Sequence, residues 1–373
     1  MSFSEAAYQY PALQNVLTRV VREKLGISGE EKQEVRQLSI QVGKALRRGL
    51  QKSVAELKFP DEPERIGSTA EDLKIPGNQE CDYLLHIDIA AGYGSLALET
   101  PGSEGYFRVV LMHSVPKMNK MLLKSGSMEY LSPMKVHAYL VGKLTNVLEQ
   151  ANIGLCARAA PFGINGVTNI VHQSNQAGPN LKLEVFYNSG RSSFDMDFVP
   201  CLNIQDNLLV AKCHPSLGPM HTLTASDPST LRWRQTMGPT ETAKIAPLDK
   251  GNGGWSKQVC RLAKYLRSKH PQFHAFPSYI YKTVFLHLLD EYHYPTEWRE
   301  NNLANRFLDF MKKFEKALLC KELDHYFLLK RRGVKRNLLR PRFKPLVIEE
   351  VGQYVARLNR KGAAAYVELF TGL

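Results

Sequence analysis

Two carboxylates stand at the start of an apolar stretch of this 373-residue chain. Glu80 and Asp82 are separated by one residue, and strand-forming residues follow them in ECDYLLHIDI. On a strand, two such side chains project from one face, about 6.5–7 Å apart. Together with a third acidic group from a neighbouring strand, they can bind a hard divalent cation. The alternative is a solvated strand face, and the pair alone does not decide between the two.

A hairpin further along the chain supplies candidates for the third acidic group. The segment NLKLEVFYNSGRSSFDMDFVPCL predicts two strands joined by NSGR, and Asp195 and Asp197 lie on one face of the second strand. The other residues of that strand are core-like, so a carboxylate there is costly to bury unless it is paired or bound to metal. The pattern leaves both aspartates open. Three carboxylates around Mg²⁺ would bridge to substrate phosphates.

Gly67 and Ser68 precede the first acidic pair, and eleven residues separate Ser68 from Glu80. A glycine lets the backbone approach a phosphate closely, and a serine adds an N–H and a hydroxyl donor. The dipeptide by itself carries almost no information. The ordered combination of this dipeptide with the two acidic motifs indicates metal-assisted chemistry on a phosphate.

The elements around these residues predict an α+β fold with two lobes. Residues 12–26 read as a first helix, followed by a long amphipathic helix of about 28 residues that would form a spine. A mainly antiparallel sheet and one further helix follow, residues 217–255 are rich in loop formers, and helical periodicity then continues almost to the end. We therefore predict a catalytic lobe with the spine helix over residues 1–205 and a helical lobe over residues 206–373.

Composition narrows the functional class. The N-terminal sequence MSFSEAAYQY lacks the features of a signal peptide, and no run reaches the length of a membrane helix, which predicts a cytoplasmic protein without a membrane partner. Six cysteines without a C-x-x-C pair argue against a zinc ribbon and a disulfide framework, so no zinc is expected. The net charge of +13 favours a polyanionic partner.

The excess positive charge falls in two clusters, one on the long helix and one in LLKRRGVKRNLLRPRFK. Neither cluster interleaves aromatic residues, which favours the backbone of a duplex over a single strand; A-form RNA is recognised in this way. A solvated helix face is the alternative. The candidate nucleic-acid contacts are Lys44, Arg47, Arg48, Lys52, Lys330, Arg331, Arg332, Lys335 and Arg336.

The order G-S-x11-E-x-D, then an apolar strand, then h-D-h-h-P resembles the nucleotidyltransferase core of cyclic GMP-AMP synthase and of the cGAS-like receptors of animals. The segments LRWRQTMGPTETAK, CRLAKYLRSK and FPSYIYKTVFLH are also similar to segments of that family, as is the C-terminal helical part. The resemblance covers roughly residues 12–340.

The resemblance implies roles for individual residues. Glu80, Asp82 and Asp197 would hold two Mg²⁺ or Mn²⁺ ions. The family pattern h-D-h-h-P selects Asp197, rather than Asp195, as the third ligand. ATP and GTP would be the substrates. The implied nucleotide contacts are Gly67, Ser68 and Lys264 to phosphate, Tyr279 and Ser278 to a base, and Arg234 with Glu241 at the acceptor pocket. From the residues alone, Tyr279 also fits an amphipathic core, and Arg234 also fits a cation–π pair with Trp233.

The implied activity is the joining of two NTPs into a cyclic dinucleotide, a cGAMP-like second messenger of innate antiviral signalling. The family's zinc-binding insertion has no counterpart in residues 239–258, which favours double-stranded RNA over DNA as the activator. Val199 stands where the vertebrate synthase has a guanine-reading threonine, so the second base stays open. A ligand-induced dimer and movement of the loop between Ser68 and Glu80 are further expectations. The alternatives are a catalytically silent nucleotide-binding or interaction protein and a synthase of linear oligonucleotides.

Overall fold

The structure is a computed structural model that describes most of the chain in twelve separate ranges. It describes residues 10–26, 29–77, 79–89, 96–100, 105–112, 118–153, 160–173, 181–211, 231–250, 254–332, 335–340 and 342–372. Within those ranges, no helix is both long and apolar enough to cross a membrane.

The described chain forms two compact units, and neither is a single continuous stretch. The first unit, here called the sheet unit, comprises Ser28–Ala70 and Asn78–Thr242. The second, here called the helical unit, comprises Met1–Ile27, Glu71–Gly77 and Ala243–Leu373.

The sheet unit contains α2 (Gly29–Ser53), α3 (Gly67–Ala70), α4 (Pro133–Ile153) and most of α5 (Gly238–Ile245). Its strands are β1 (Leu57–Lys58), β2 (Glu64–Ile66), β3 (Glu80–His86), β4 (Asp88–Ile89), β5 (Leu96–Glu99), β6 (Tyr106–Leu111), β7 (Leu122–Ser125), β8 (Met128–Leu131), β9 (Val167–His172), β10 (Leu181–Tyr187), β11 (Ser192–Ile204), β12 (Asn207–Val210) and β13 (Arg232–Gln235).

An 11-stranded sheet dominates this unit, with the main order β2-β3-β11-β12-β13-β6-β8-β7. Strands β3 and β11 are parallel, and the other pairs of this sheet are antiparallel. The hairpin predicted from NSGR is β10 and β11, and Asn188, Ser189 and Gly190 in its turn all have positive φ. The prediction of a mixed, mainly antiparallel sheet is confirmed.

Helix α2 covers one face of the sheet because its apolar residues recur every three or four positions. Val35, Val42 and Leu46 are buried in the same core cluster as Tyr83 and Phe198 of the sheet. The predicted spine helix is confirmed, although it has 25 residues rather than about 28.

The helical unit is built from amphipathic helices around an aromatic core. Phe276, Phe307 and Phe314 are fully buried in it. The helices are α1 (Pro11–Glu23), α6 (Ser256–Lys269), α7 (Ser278–Leu289), α8 (Leu303–Leu319), α9 (Tyr326–Arg332), α10 (Pro345–Lys361) and α11 (Ala363–Thr371). The predicted helical C-terminal region is confirmed from Ser256 onward, whereas β12 and β13 lie within the predicted range of residues 206–373 and belong to the sheet.

The loop-rich reading of residues 217–255 was wrong in one part. Residues 212–230 and 251–253 lie outside the described ranges, but β13 and α5 fall within the remainder. Strand β13 has only four residues and pairs with both β12 and β6. So short a strand, followed by a Gly-Pro, shows little periodicity, and its long-range pairing is what defines it.

Candidate active site

The acidic motifs lie on the two parallel strands of the sheet. Asp197 of β11 pairs in register with Asp82 of β3, and Asp195 pairs with Glu80. The alternate residues of both strands, such as Tyr83 and Phe198, are buried in the core beneath α2. Because side chains alternate between the faces of a strand, the four carboxylates project from the opposite face.

Three of these carboxylates converge. Glu80, Asp82 and Asp197 each offer an oxygen, and these oxygens all lie within 4.8 Å of one another. Asp197 is buried, while Glu80 and Asp82 are half-buried. Like charges held this close and partly desolvated are unfavourable without a compensating cation. Oxygen ligands of this number and charge suit Mg²⁺ or Mn²⁺, so the residues present fit the implied metals.

Asp195 has a different partner, although the sequence pattern could not separate it from Asp197. Its Oδ2 lies 3.1 Å from Nζ of Lys182 on the neighbouring strand β10. Burial lowers the pKa of Lys182, but the hydrogen bond that Lys182 donates to Asp195 and the charges of Asp195, Asp197 and Glu80 outweigh this effect and raise that pKa. Lys182 therefore stays protonated beside the carboxylates.

Gly67 follows directly on the residue that pairs with Asp82. Ile66 of β2 is in register with Asp82, and the next residue, Gly67, has φ +75°. A Cβ atom at Gly67 would overlap the carboxylate of Asp82. Glycine is thus required here on two grounds, the left-handed backbone and the close approach of the carboxylate. Ser68 is half-buried in the following short helix α3.

The segment after α3 is fixed by basic residues of the helical unit. Glu71 is fully buried and accepts from Nζ of Lys282 in α7 at 3.0 and 3.3 Å. Nζ of Lys264 in α6 donates to the carbonyl of Leu73 at 2.8 Å. Nε of Arg261 donates to the carbonyl of Lys74 at 3.0 Å. Sequence reasoning missed Glu71, Arg261 and Lys282; the only signal was a lysine inside the apolar helix segment SYIYKTVF.

Three predicted nucleotide contacts lie in the helical unit. Lys264 is buried, and its burial lowers the pKa to about 8. Tyr279 is half-buried, its hydroxyl lies 3.1 Å from Nε2 of His325, and Nζ of Lys282 lies 5.3 Å from its ring centroid. Ser278 is half-buried at the start of α7. Tyr279 is therefore less buried than Tyr281, which belongs to the core.

Arg234 and Glu241 lie in the sheet unit. Trp233 is fully buried and donates from Nε1 to the carbonyl of Leu131. Arg234 is in register with Val210 of β12, which is in register with Cys201 of β11. Cys201 lies four residues beyond Asp197 and therefore on the same face, so Arg234 projects from the carboxylate face and Trp233 from the opposite one. The two side chains are on opposite faces, which contradicts the alternative of a cation–π pair. Glu241 is buried in α5.

The predicted nucleic-acid contacts differ in exposure. On α2, Lys44, Arg48 and Lys52 are exposed, whereas Arg47 donates to the carbonyl of Pro60. In the second cluster, Lys330 and Lys335 are exposed and Arg336 is buried. The side chains of Arg331 and Arg332 lie outside the described part of the structure.

The sheet, its triad of carboxylates and the glycine packed against one of them define the class of protein: this is a nucleotidyltransferase fold with a helical C-terminal region. Residues 256–353 match the model of the Mab-21 protein HhH/H2TH-like domain.

Several named proteins are similar in sequence to most of this chain. It is 25% identical to cyclic GMP-AMP synthase-like receptor 3 of Stylophora pistillata, over 79% of this chain and 80% of that protein. It is 25% identical to a mitochondrial dynamics protein of Danio rerio, over 81% of this chain and 60% of that protein. It is 21% identical to a cyclic GMP-AMP synthase-like receptor of Trichogramma pretiosum, over 70% of this chain and 55% of that protein. Together, these matches support a protein related to the cyclic GMP-AMP synthase-like receptors and to Mab-21 proteins.

Proposed function

We propose that this protein is a metal-dependent nucleotidyltransferase that joins two NTPs, taken as ATP and GTP, into a cyclic dinucleotide. A ribose hydroxyl of one nucleotide attacks the α-phosphate of the other, pyrophosphate leaves, and a second attack closes the ring. The observation that carries the proposal is the convergence of Glu80, Asp82 and Asp197, whose oxygens lie within 4.8 Å of one another.

The carboxylates and the glycine have separable tasks in this reaction. When bound, two Mg²⁺ or Mn²⁺ ions would activate the attacking hydroxyl and stabilise the leaving pyrophosphate. Glu80, Asp82 and Asp197 would hold the ions at the edge where β3 and β11 begin to run side by side. The missing side chain of Gly67 keeps the backbone next to Asp82 open to the donor phosphates, and Ser68 would add its hydroxyl.

The remaining predicted contacts are assigned to the nucleotides on the basis of the family resemblance. Lys264 would contact phosphate, and Tyr279 and Ser278 would contact a base. Arg234 would bind the base edge of the acceptor, since a guanidinium matches the O6/N7 edge of guanine, and Glu241 would lie near that pocket.

The activator in this proposal is double-stranded RNA, bound by the exposed cations of α2. Lys44, Arg48 and Lys52 are spaced at i, i+4 and i+8 and are exposed, as phosphate contacts must be. The product would act as a second messenger in cytoplasmic antiviral signalling, and activation would include a ligand-induced dimer.

One similarity favours a different class of function. The chain matches a protein named for mitochondrial dynamics as well as proteins named as synthase-like receptors. The second candidate is therefore a catalytically silent nucleotide-binding or interaction protein. The presence of all three carboxylates favours the enzyme.

Incubation with labelled ATP and GTP, Mn²⁺ and duplex RNA, duplex DNA or no nucleic acid tests the proposal. A phosphatase-resistant product that requires duplex RNA is expected from the wild type and not from Asp197→Asn. Asp88→Asn is the matched control, because Asp88 is exposed in β4 outside the carboxylate cluster. A phosphatase-sensitive product would indicate linear oligonucleotides. No product under any condition, with a folded protein that still binds nucleotide, would establish the silent alternative.

A further inference from the structure

Two arginines are directly opposed on neighbouring strands of the sheet unit. Arg232 of β13 is the register partner of Arg108 of β6, and both residues are half-buried. Directly opposed residues on one sheet face have Cβ atoms about 4.5–5.5 Å apart, and like charges at this distance are destabilising. This pair is therefore an unusual choice for a purely structural position.

The hydrogen-bonding capacity of the pair is also incompletely used. Nε of Arg108 and Nε of Arg232 are both buried atoms that lack a hydrogen-bond partner. Arg108 lies over the ring of Tyr130 at 5.9 Å, and Glu99 is its register partner on the other side. In the described part of the chain, no ion pair joins either guanidinium to a carboxylate. Because both Nε atoms are buried, an anion that bridges the two half-buried side chains would accept from the terminal nitrogens of the guanidinium groups.

The pair lies on the same sheet face as the carboxylate cluster. Strands β11 and β13 run in the same direction, because both are antiparallel to β12, and Arg234 is level with Cys201. Arg232 is then level with Val199, two residues beyond Asp197. Two interstrand spacings and two residue steps place the Cα atoms of Arg232 and Asp197 roughly 12 Å apart. Arg234 adds a third positive charge on this face.

We propose that Arg108 and Arg232 form a binding site for the phosphate chain of a second nucleoside triphosphate, separate from the metal-bound phosphates near Gly67. The planar guanidinium fork suits a polyphosphate because it donates two parallel hydrogen bonds to neighbouring oxygens. An anion between the two guanidiniums also removes their mutual repulsion. This inference rests on the proposed function for the identity of the ligand, since it assigns the site to the acceptor nucleotide.

Binding measured without metal separates this site from the carboxylate cluster. Isothermal titration calorimetry in EDTA would use tripolyphosphate, GTP and guanosine as probes. We expect Arg232→Gln and Arg108→Gln each to weaken tripolyphosphate and GTP binding by about tenfold or more, as expected for loss of a charge-assisted bidentate contact. Guanosine affinity should not change. The matched control is Arg191→Gln, because Arg191 is exposed in the β10–β11 turn.

Thermal unfolding of the ligand-free variants gives a second and independent readout. Removal of one like charge should raise the melting temperature of Arg232→Gln, whereas a structural arginine would lower it when lost. Arg232→Lys keeps the charge but not the fork, and it should bind tripolyphosphate more weakly than the wild type.

Several results would overturn the inference. These are unchanged affinity in both glutamine variants, equal losses in Arg191→Gln, or a lower melting temperature of ligand-free Arg232→Gln. Failure of the proposed synthase activity would leave the metal-free binding result intact, so the two failures can be told apart.

Discussion

Nζ of Lys282 lies 3.0 Å from one carboxylate oxygen of Glu71 and 3.3 Å from the other, and both residues are buried. Glu71 is the residue directly after α3, three positions beyond Ser68. The first part of the segment between the Gly-Ser and the acidic pair is thus held by an ion pair and by hydrogen bonds from the side chains of Lys264 and Arg261 to the carbonyls of Leu73 and Lys74.

Breaking this ion pair should destabilise the helical unit strongly. Lys282→Met leaves the carboxylate of Glu71 buried without its cation, and loss of one partner of a buried pair typically costs about 3–5 kcal/mol. The double variant Lys282→Met/Glu71→Leu should recover most of that loss. Urea unfolding measures both changes in the free energy of unfolding.

The exposed pair of Lys321 and Glu349 supplies the control for this measurement. Its atoms are 2.9 Å apart, but the Glu349 side chain is 54% exposed, so Lys321→Met should lower the free energy of unfolding far less than Lys282→Met does. A similar cost for both single variants would contradict the importance of burial.

Gly67→Ala should impair metal binding. The new Cβ would overlap the Asp82 carboxylate, and φ +75° disfavours alanine. We expect Mn²⁺ affinity, measured by electron paramagnetic resonance, to fall about 10–100-fold, the typical effect of changing a residue that orients a metal ligand. Gly126→Ala is the matched control, because Gly126 also has positive φ but has open space around it. Equal affinity in the two variants would show that the contact with Asp82 is unimportant.

Nucleotide binding should depend on the protonation of Lys264. Burial lowers its pKa to about 8 in the ligand-free protein. A bound phosphate favours the charged form and raises this pKa, so binding takes up a proton and affinity falls as pH rises above about 8. Calorimetry in buffers of different ionisation enthalpy, between pH 7.5 and 9, measures the uptake. Lys264→Met should remove it; uptake that persists in this variant belongs to another group.

The cations of α2 should determine the salt dependence of RNA binding. Arg48→Glu with Lys52→Glu removes two exposed positive charges from that helix. Each lost phosphate contact lowers the slope of log K against log salt by about 0.9, the value for duplex DNA. RNA-stimulated synthesis should fall in parallel. Lys124→Glu with Arg191→Glu is the charge-matched control, since both residues are exposed elsewhere in the sheet unit. Identical slopes for the two double variants would exclude α2 as the RNA contact.

Much of the fold could be predicted because it rests on local periodicity. The apolar residues of α2 recur every three or four positions, which predicts a helix, and those of β11 alternate with acidic residues, which predicts a strand. Strand β13 could not be recognised in this way. Its four residues are held by pairing with β6 and β12, and the nearer of the two in sequence, β12, ends 22 residues earlier at Val210.

The sequence by itself determined the types of residue available for chemistry, because Gly67, Glu80, Asp82 and Asp197 carry that information in their side chains and their spacing. Tertiary structure alone decided which of them meet. The register between β3 and β11 places Asp197 beside Asp82, whereas Asp195 forms an ion pair with Lys182. Folding also paired Glu71 with Lys282 and set Arg232 opposite Arg108. These contacts join residues that are far apart in sequence. Local sequence pattern cannot specify them, because they form only when distant elements pack together.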